Sequence, residues 1–305
     1  MGEETTASGN ASTAMGLFTI ASGAVSTAMG DGTEASGAVS TAMGNITTAS
    51  GQASTAMGEE TTASGNASTA MGYYTEASGN YSTAMGSGTI ASGVSSTATG
   101  ISTTASGDYS TATGYFTTAS GSSSTATGIS TTASGNYSTA MGRNTTASAT
   151  GSTAMGRNTT ASGTISTAMG RNTTASGTIS TAMGGGTEAT GDYSTAMGYA
   201  TTAPSYAETS IGQYNTTYTP ASTSSWQSGD RLFVIGNGSS SSASDAMIVY
   251  KSGLAEFKND MSITGNLGLD DSEIRLRGLS DGNHYLKYLG GSFDGPKLNG
   301  NATVV

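Results

Sequence analysis

The chain has 305 residues, a formal net charge of −10, no cysteine, and only five Phe beside 46 Gly. This composition provides too little apolar bulk for a thick globular core, and the absence of cysteine excludes disulfides and thiolate metal sites. The few basic residues offer no surface for a nucleic acid, and no run of 18 apolar residues is present to span a membrane.

The phrase Ser-Thr-Ala-Met-Gly at residues 12–16 returns every fourteen residues, and its glycine recurs without a break from Gly2 to Gly198. A degenerate copy follows at 210–212. A period this short excludes a helical solenoid and predicts a β-coil with two five-residue strands and two tight turns. Because Met1 and Gly2 match the middle of the unit, we expect a natural N-terminal part, with any export signal, to precede the given sequence.

Within the first strand, alternation places Thr13 and Met15 on one face and the small residues on the other. Both faces vary little between copies, which predicts that the strand is covered on both sides: by the roll interior and by a sister chain. The candidate interior residues are Thr13, Met15, Thr19, Ala21, Met29 and Met43. The candidate residues facing a sister chain are Ser12, Ala14, Gly16, Ser26, Ala28 and Gly30.

The fourteen-residue period, the small-apolar alternation and the second Ala-x-Gly half-motif resemble the head repeats of trimeric autotransporter adhesins. The resemblance implies an all-β fold: a left-handed parallel β-roll of about fifteen coils, assembled as a homotrimer. Thr13 and Met15 stand where that family has branched aliphatic residues. Because threonine also replaces the methionine at Thr99, Thr113 and Thr127, we expect a wetter core in those coils.

The turn after each Met-Gly pair varies between copies and is the predicted site of display. Its aromatic residues could contact glycans or proteins, or could cover coil edges and neighbouring chains. The arginine column could bind anions or be a solvated face left by recent duplication. The candidate contact residues are Phe18, Tyr73, Tyr74, Tyr115, Phe116, Arg143, Arg157 and Arg171.

Asn-x-Ser/Thr sequons make several asparagines candidate glycan acceptors, although such sequons also arise by chance in a chain rich in Ser and Thr. The candidates are Asn45, Asn144, Asn158, Asn172 and Asn215.

No catalytic, metal or cofactor site is predicted, because His284 is the only histidine and the carboxylates are scattered singly. The threonine columns raise the alternative of an ice-binding face. That alternative is disfavoured because it needs an exposed two-column array, whereas Thr13 and Thr19 are predicted to lie inside.

After residue 212 the repeat ends, and we predict a linker over 213–229 and a β-rich stem over 230–305, following the roll over 1–212. Strands are predicted over 231–238, 246–250, 253–257 and 261–267. Residues 226–300 resemble the stems of surface and phage-type fibre proteins.

These features predict a non-enzymatic, extracellular, trimeric fibre that attaches to a surface, with itself and a host glycan or protein as partners. The alternative is a structural subunit that polymerises end to end into an extracellular filament.

Overall fold

A computed structural model of the protein describes residues 2–258, which form a stack of parallel β-coils and confirm the predicted all-β roll. Each coil contributes one strand of five residues and one of only two, so the second strand is shorter than the five residues predicted. In the first complete coil these are Thr13–Leu17 and Ile20–Ala21. The predicted strand over 261–267 lies outside the described residues.

The strands are, in chain order, β1 (Thr6–Ala7), β2 (Thr13–Leu17), β3 (Ile20–Ala21), β4 (Thr27–Asp31), β5 (Glu34–Ala35), β6 (Thr41–Asn45), β7 (Thr48–Ala49), β8 (Thr55–Glu59), β9 (Thr62–Ala63), β10 (Thr69–Tyr73), β11 (Glu76–Ala77), β12 (Thr83–Ser87), β13 (Ile90–Ala91), β14 (Thr97–Ile101), β15 (Thr104–Ala105), β16 (Thr111–Tyr115), β17 (Thr118–Ala119), β18 (Thr125–Ile129), β19 (Thr132–Ala133), β20 (Thr139–Arg143), β21 (Thr146–Ala147), β22 (Thr153–Arg157), β23 (Thr160–Ala161), β24 (Thr167–Arg171), β25 (Thr174–Ala175), β26 (Thr181–Gly185), β27 (Glu188–Ala189), β28 (Thr195–Tyr199), β29 (Thr202–Ala203), β30 (Thr209–Gln213), β31 (Arg231–Asn237), β32 (Asp245–Tyr250) and β33 (Ala255–Phe257).

The two kinds of strand build two sheets. The short strands, from β1 to β29, form one sheet, and the long strands, from β2 to β30, form the other. Neighbouring coils pair in parallel and in register, so that each residue lies beside its equivalent fourteen residues later, as Thr13 does beside Thr27. Identical side chains therefore stack in columns, about 4.8 Å apart.

Glycine at the end of the repeated phrase is required by the close approach of successive coils. Gly16 has a φ of +127°, and a Cβ there would lie 1.9 Å from the carbonyl oxygen of Gly30. No other residue fits this position without moving the backbone. The same contact recurs in every coil, which explains why this glycine never changes between copies.

In the repeated coils, the core between the two sheets is made of small residues. Ala28 on the long strand and Ala21 on the short strand are fully buried, and so are their equivalents in later coils. Thr19 and Ser26 also lie inside, beside these alanines. In the repeated coils, closure within fourteen residues brings the sheets too close together for a larger side chain.

This narrow interior overturns the predicted orientation of the first strand. Ser26 and Ala28 are buried within the chain's own roll, and Ser12 and Ala14 are partly covered on the same side; Gly16 and Gly30 have no side chain to present. The small residues do meet a close neighbour, but that neighbour is the opposite sheet of the same chain.

The larger residues of that strand point outward. Thr13 and Met15 are exposed in the first coil, and Met29 and Met43 are partly exposed, so the prediction that these four fill the roll interior is wrong. Alternation along a strand separates two faces, but it does not say which one is inside.

The strands after residue 230 continue the sheet of long strands. β31 pairs in parallel with β30, and β32 and β33 follow as antiparallel strands. The predicted boundary at residue 230 therefore falls inside one continuous sheet. The remainder of the predicted stem, from 259 onwards, lies outside the described residues.

Candidate binding surfaces

The outward face of the long-strand sheet carries a threonine column beside a methionine column. Met15 is 42% exposed, and its equivalents in the following coils are partly exposed. The column continues in register through Ile211, Ile235, Met247 and Phe257. We call this surface the Thr/Met face.

The variable turn lies beside the Thr/Met face and displays its side chains to solvent. The predicted aromatic contact residues are all exposed: Phe18, Tyr73, Tyr74, Tyr115 and Phe116. Tyr73 and Tyr74 pack edge to face, as do Tyr115 and Phe116. The hydroxyl of Tyr74 donates a 2.7 Å hydrogen bond to Oε1 of Glu60 in the preceding coil, which raises the pKa of Tyr74.

Both turns of every coil hold one residue in the left-handed region. In the first complete coil these are Phe18, with a φ of 51°, and Val25, with a φ of 59°. Each donates its backbone N–H to a carbonyl of the previous coil, Val25 to Asn10 at 2.7 Å. This ladder holds the exposed side chains of both turns in straight columns, including the second-turn tyrosines Tyr81, Tyr109, Tyr137 and Tyr193.

Three arginines stack at the ends of neighbouring long strands. Arg143 pairs with Arg157, which pairs with Arg171, and all three are exposed. The next residue of each turn is asparagine, and the amide of Asn144 donates to Asn158 at 3.1 Å. Asn158 in turn donates to Asn172 at 3.0 Å. We call this surface the arginine column.

The candidate glycan acceptors differ in accessibility. Asn45, Asn144, Asn158 and Asn172 are exposed. Asn215 is only 3% exposed, and its amide is hydrogen bonded both to the carbonyl and to the N–H of Thr202. Asn215 is therefore not accessible as a glycan acceptor in the folded chain, because its amide is buried and is used to close the last turn of the roll.

A buried carboxylate lies at the C-terminal end of the roll. Glu208 stands where other coils have a buried serine and is 0% exposed. Its Oε2 accepts hydrogen bonds from the N–H of Ser205 at 2.9 Å and the hydroxyl of Tyr218 at 3.3 Å. Burial raises the pKa of Glu208, and it raises the pKa of Tyr218 to about 12.

Two cations, Arg231 and Lys251, lie near enough to interact electrostatically with this carboxylate. Nζ of Lys251 donates to Oγ of Ser205 at 3.0 Å and lies over the ring of Trp226, and burial lowers the pKa of Lys251. Arg231 stacks on Tyr218 and pairs with Asp245 at 3.6 Å. The cluster covers the last coil, so this end of the core does not open to solvent.

Sequence reasoning did not single out Glu208, Tyr199 or the Gly185–Gly186 turn as functional positions. Two of these depart from the repeat: Glu208 occupies a serine position, and Gly185 and Gly186 interrupt columns of larger turn residues, whereas Tyr199 shares its turn position with Tyr73 and Tyr115. Such departures were the available signal.

No helix among the described residues is long and apolar enough to cross a membrane. Within residues 2–258, no group of three or more His, Cys, Asp or Glu side chains could hold a metal ion.

The fold is that of a parallel β-solenoid repeat protein, with a thin core of small residues and variable outer turns. The family model described as YadA head domain repeat (2 copies) matches residues 1–19, 21–45, 49–75, 63–89, 91–117, 119–145, 147–173, 161–187 and 175–201. The chain belongs to the YadA head repeat family, the head of trimeric autotransporter adhesins. A search of curated protein sequences gives no match to the chain.

Proposed function

We propose that the protein is a non-enzymatic, extracellular rod of three identical chains that acts as a surface-attachment element. The three rolls run parallel and in register, and their Thr/Met faces pack together around a common axis. Membership of a family of trimeric adhesin heads supports this assembly. The partly exposed methionine column carries the proposal.

The single chain leaves this column incompletely buried. Ala28 is fully buried on one side of strand β4, whereas Met29 on the other side is only partly covered. Full burial of a methionine contributes about 1.5–3 kcal/mol, so each half-covered methionine has on the order of 1 kcal/mol to gain from a partner. That gain repeats along the rod, with one methionine in most coils.

The column also extends beyond the repeat. Ile211, Ile235, Met247 and Phe257 continue it at the C-terminal end. An apolar surface this long and only one or two columns wide is unusual for a chain that remains alone. Three narrow faces closing on an axis would bury it completely, and parallel register would place identical residues at each height.

The rod itself acts as a spacer. Fifteen coils stacked about 4.8 Å apart give a length of about 70 Å. Its variable turns point away from the core and display aromatic and charged residues along the outside. Attachment to a host-surface glycan or protein is assigned to these turns.

No observation favours the end-to-end filament. In the last coil the long strand β30 is covered by β31 and the polar cluster around Glu208, so this sheet offers no open edge for stacking at β30.

The outward orientation of the first strand adds little support to the ice-binding alternative. The threonine column that includes Thr13 does face outward, contrary to prediction. Its neighbour is methionine in most coils, and two adjacent threonine columns occur only in β14, β16 and β18.

The oligomeric state of the full chain tests the proposal. Multi-angle light scattering should give three times the 29.9 kDa mass of one chain. Met71→Asp, in the middle of the Thr/Met face, should shift the mass towards one chain, because it would bury an unpaired charge. Thr118→Asp is the matched control: it points outward from the other sheet, in the column where Glu34 and Glu76 occur. A wild-type mass of one chain, or dissociation by the control instead, would refute the assembly.

A further inference from the structure

The arginine column has no carboxylate partner in the described chain. The salt bridges of residues 2–258 join Arg231 to Asp245 and Lys258 to Glu256, and neither involves Arg143, Arg157 or Arg171. The three guanidinium groups stack about 4.8 Å apart along one edge of the rod. Like charges at that spacing repel, so the column gains from any anion placed along it.

The coils of sister chains do not supply that anion. The sequence has no Asp or Glu between Asp108 and Glu188, and the three arginines are the only charged residues in that interval. In a parallel, in-register assembly, each coil meets the same coil of its partners. Within the described coils, partners therefore bring more arginine to this height and no carboxylate, which favours a neutralising group from outside the protein.

The turns next to the arginines hold the column in place. The amides of Asn144, Asn158 and Asn172 are linked at 3.1 and 3.0 Å, and all three residues have a φ close to +54°. The backbone from which each arginine extends is therefore fixed at the coil spacing. A fixed row of planar guanidinium groups suits repeated carboxylate or sulfate groups on a linear ligand.

The same edge continues into a recess and an aromatic ring. Gly185 and Gly186 leave a cavity of about 100 Å³, lined by Arg171, Asn172, Tyr199 and Ala200. The ring of Tyr199 leans across Gly185, where a Cβ would come within 2.9 Å of it, and Tyr199 is 56% exposed. From Arg143 to Tyr199 the edge spans about 19 Å.

We infer that this edge is a binding site for a linear acidic glycan, whose carboxylate or sulfate groups pair with the arginine column while a sugar ring stacks on Tyr199 above the glycine recess. The inference rests on the proposed surface-attachment function, whose ligand class it specifies. An aromatic ring beside charge-pairing groups is suited to a ligand that is both cyclic and anionic.

Two other polyanions fit less well. A nucleic acid would meet only three cations on a chain of net charge −10, with no Lys or Arg before Arg143. A second copy of this protein offers Asp31 and Glu59 in the same turn column, but these lie two coils apart, whereas the arginines lie one coil apart.

The test measures binding of the full chain to a heparin-derived oligosaccharide and to an alginate oligosaccharide, with neutral dextran as the blank. The variant Arg143→Gln/Arg157→Gln/Arg171→Gln removes the column. The matched control, Thr132→Glu/Thr146→Glu/Thr160→Glu, changes the net charge equally at neighbouring heights of the other sheet, in a column that holds Glu34 and Glu188 naturally.

We expect the wild type to bind at least one acidic oligosaccharide and the arginine variant to bind about tenfold or more weakly, since each guanidinium contributes a charge-assisted contact. The control should stay within about twofold, and Tyr199→Ala should weaken binding while leaving its salt dependence unchanged. Dextran should not bind.

Equal binding by the arginine variant, loss of binding in the control, or no binding of either acidic glycan would overturn the inference. The inference would also be overturned if poly-glutamate bound more tightly than both glycans. The same holds if the rods associated with one another in a salt-sensitive way and the arginine variant abolished that association. Light scattering on the same samples separates the two claims. A trimer that binds no glycan overturns the glycan site alone, and a single-chain mass overturns the proposed function.

Discussion

Ala28 and Met29 are neighbours on strand β4, yet the side chain of Ala28 is completely buried inside the roll and that of Met29 lies partly exposed on its outer face. The small residue faces the chain's own second sheet, and the large residue faces outward. This relationship repeats in most coils. It means that the roll is closed by its small residues and is available for assembly through its large ones.

The size limit of the interior gives the first prediction. Ala112 is fully buried, so Ala112→Leu should destabilise the roll by about 1–3 kcal/mol or more through overpacking. Met71→Leu, on the outer face of a nearby coil, should have little effect because it conserves volume. The melting temperatures of the two variants can be compared by following thermal unfolding with far-ultraviolet circular dichroism. Equal melting temperatures for both variants would contradict the reported packing.

Glycines with positive φ occur both at the close contact between coils and in the open turns, and substitution by alanine should destabilise the first kind more than the second. A Cβ at Gly114 would lie 2.0 Å from the carbonyl oxygen of Gly128, whereas the nearest atom to a Cβ at Gly88 is 3.7 Å away. Gly114→Ala should therefore force neighbouring coils apart and cost several kcal/mol. Gly88→Ala should cost only about 1–2 kcal/mol, the ordinary cost of a left-handed residue with a Cβ, since Ala200 already occupies the equivalent position of another coil. Urea unfolding measures both variants. A larger loss of unfolding free energy in Gly88→Ala than in Gly114→Ala would refute the stacking geometry.

Thr113 lies in the three-coil interval where threonine interrupts the methionine column. If sister chains cover this face, Thr113→Met should stabilise the assembly, because it adds apolar burial at three equivalent positions. We expect a higher melting temperature and slower dissociation on dilution. Thr118→Met, outward on the other sheet, is the control and should change neither. A destabilised trimer in Thr113→Met would contradict the proposed interface.

Glu208 should make stability fall as the pH rises from mildly acidic values. Burial raises its folded pKa above the ordinary 4.5, so the folded state holds the proton where the unfolded state has lost it. Its contribution is therefore fully present below the unfolded pKa and is lost as the pH rises through the raised folded value. Glu208→Gln should remove this part of the pH dependence. Identical pH profiles of the melting temperature in the two proteins would show that the carboxylate is not buried as described.

Much of the fold follows from periodicity alone. The fourteen-residue spacing of Gly16 and Gly30 predicts parallel coils in register, and that arrangement is what the structure shows. The spacing also placed the end of the repeat at Gly212, after which the chain leaves the roll and returns as β31.

The inside and outside of the first strand could not be predicted from the pattern. Low variation on both faces of residues 12–16 predicted two close contacts, and the small face was assigned to a sister chain although it lies inside the chain's own roll. The distance between the sheets is set by how tightly fourteen residues close, which no single strand reveals. The left-handed turn residues were equally hidden, although Gly32, Gly88 and Gly186 share one turn position with Asn144, Asn158 and Asn172.

Oxidative cross-linking of single cysteines tests the orientation of the Thr/Met face most directly, because the chain has no cysteine of its own. Met71→Cys places a thiol on that face, and Thr118→Cys places one on the outer side of the other sheet. Covalent pairs of chains should form from Met71→Cys and not from Thr118→Cys. Cross-linking through Thr118→Cys, with none through Met71→Cys, would show that the chains do not meet through their methionines.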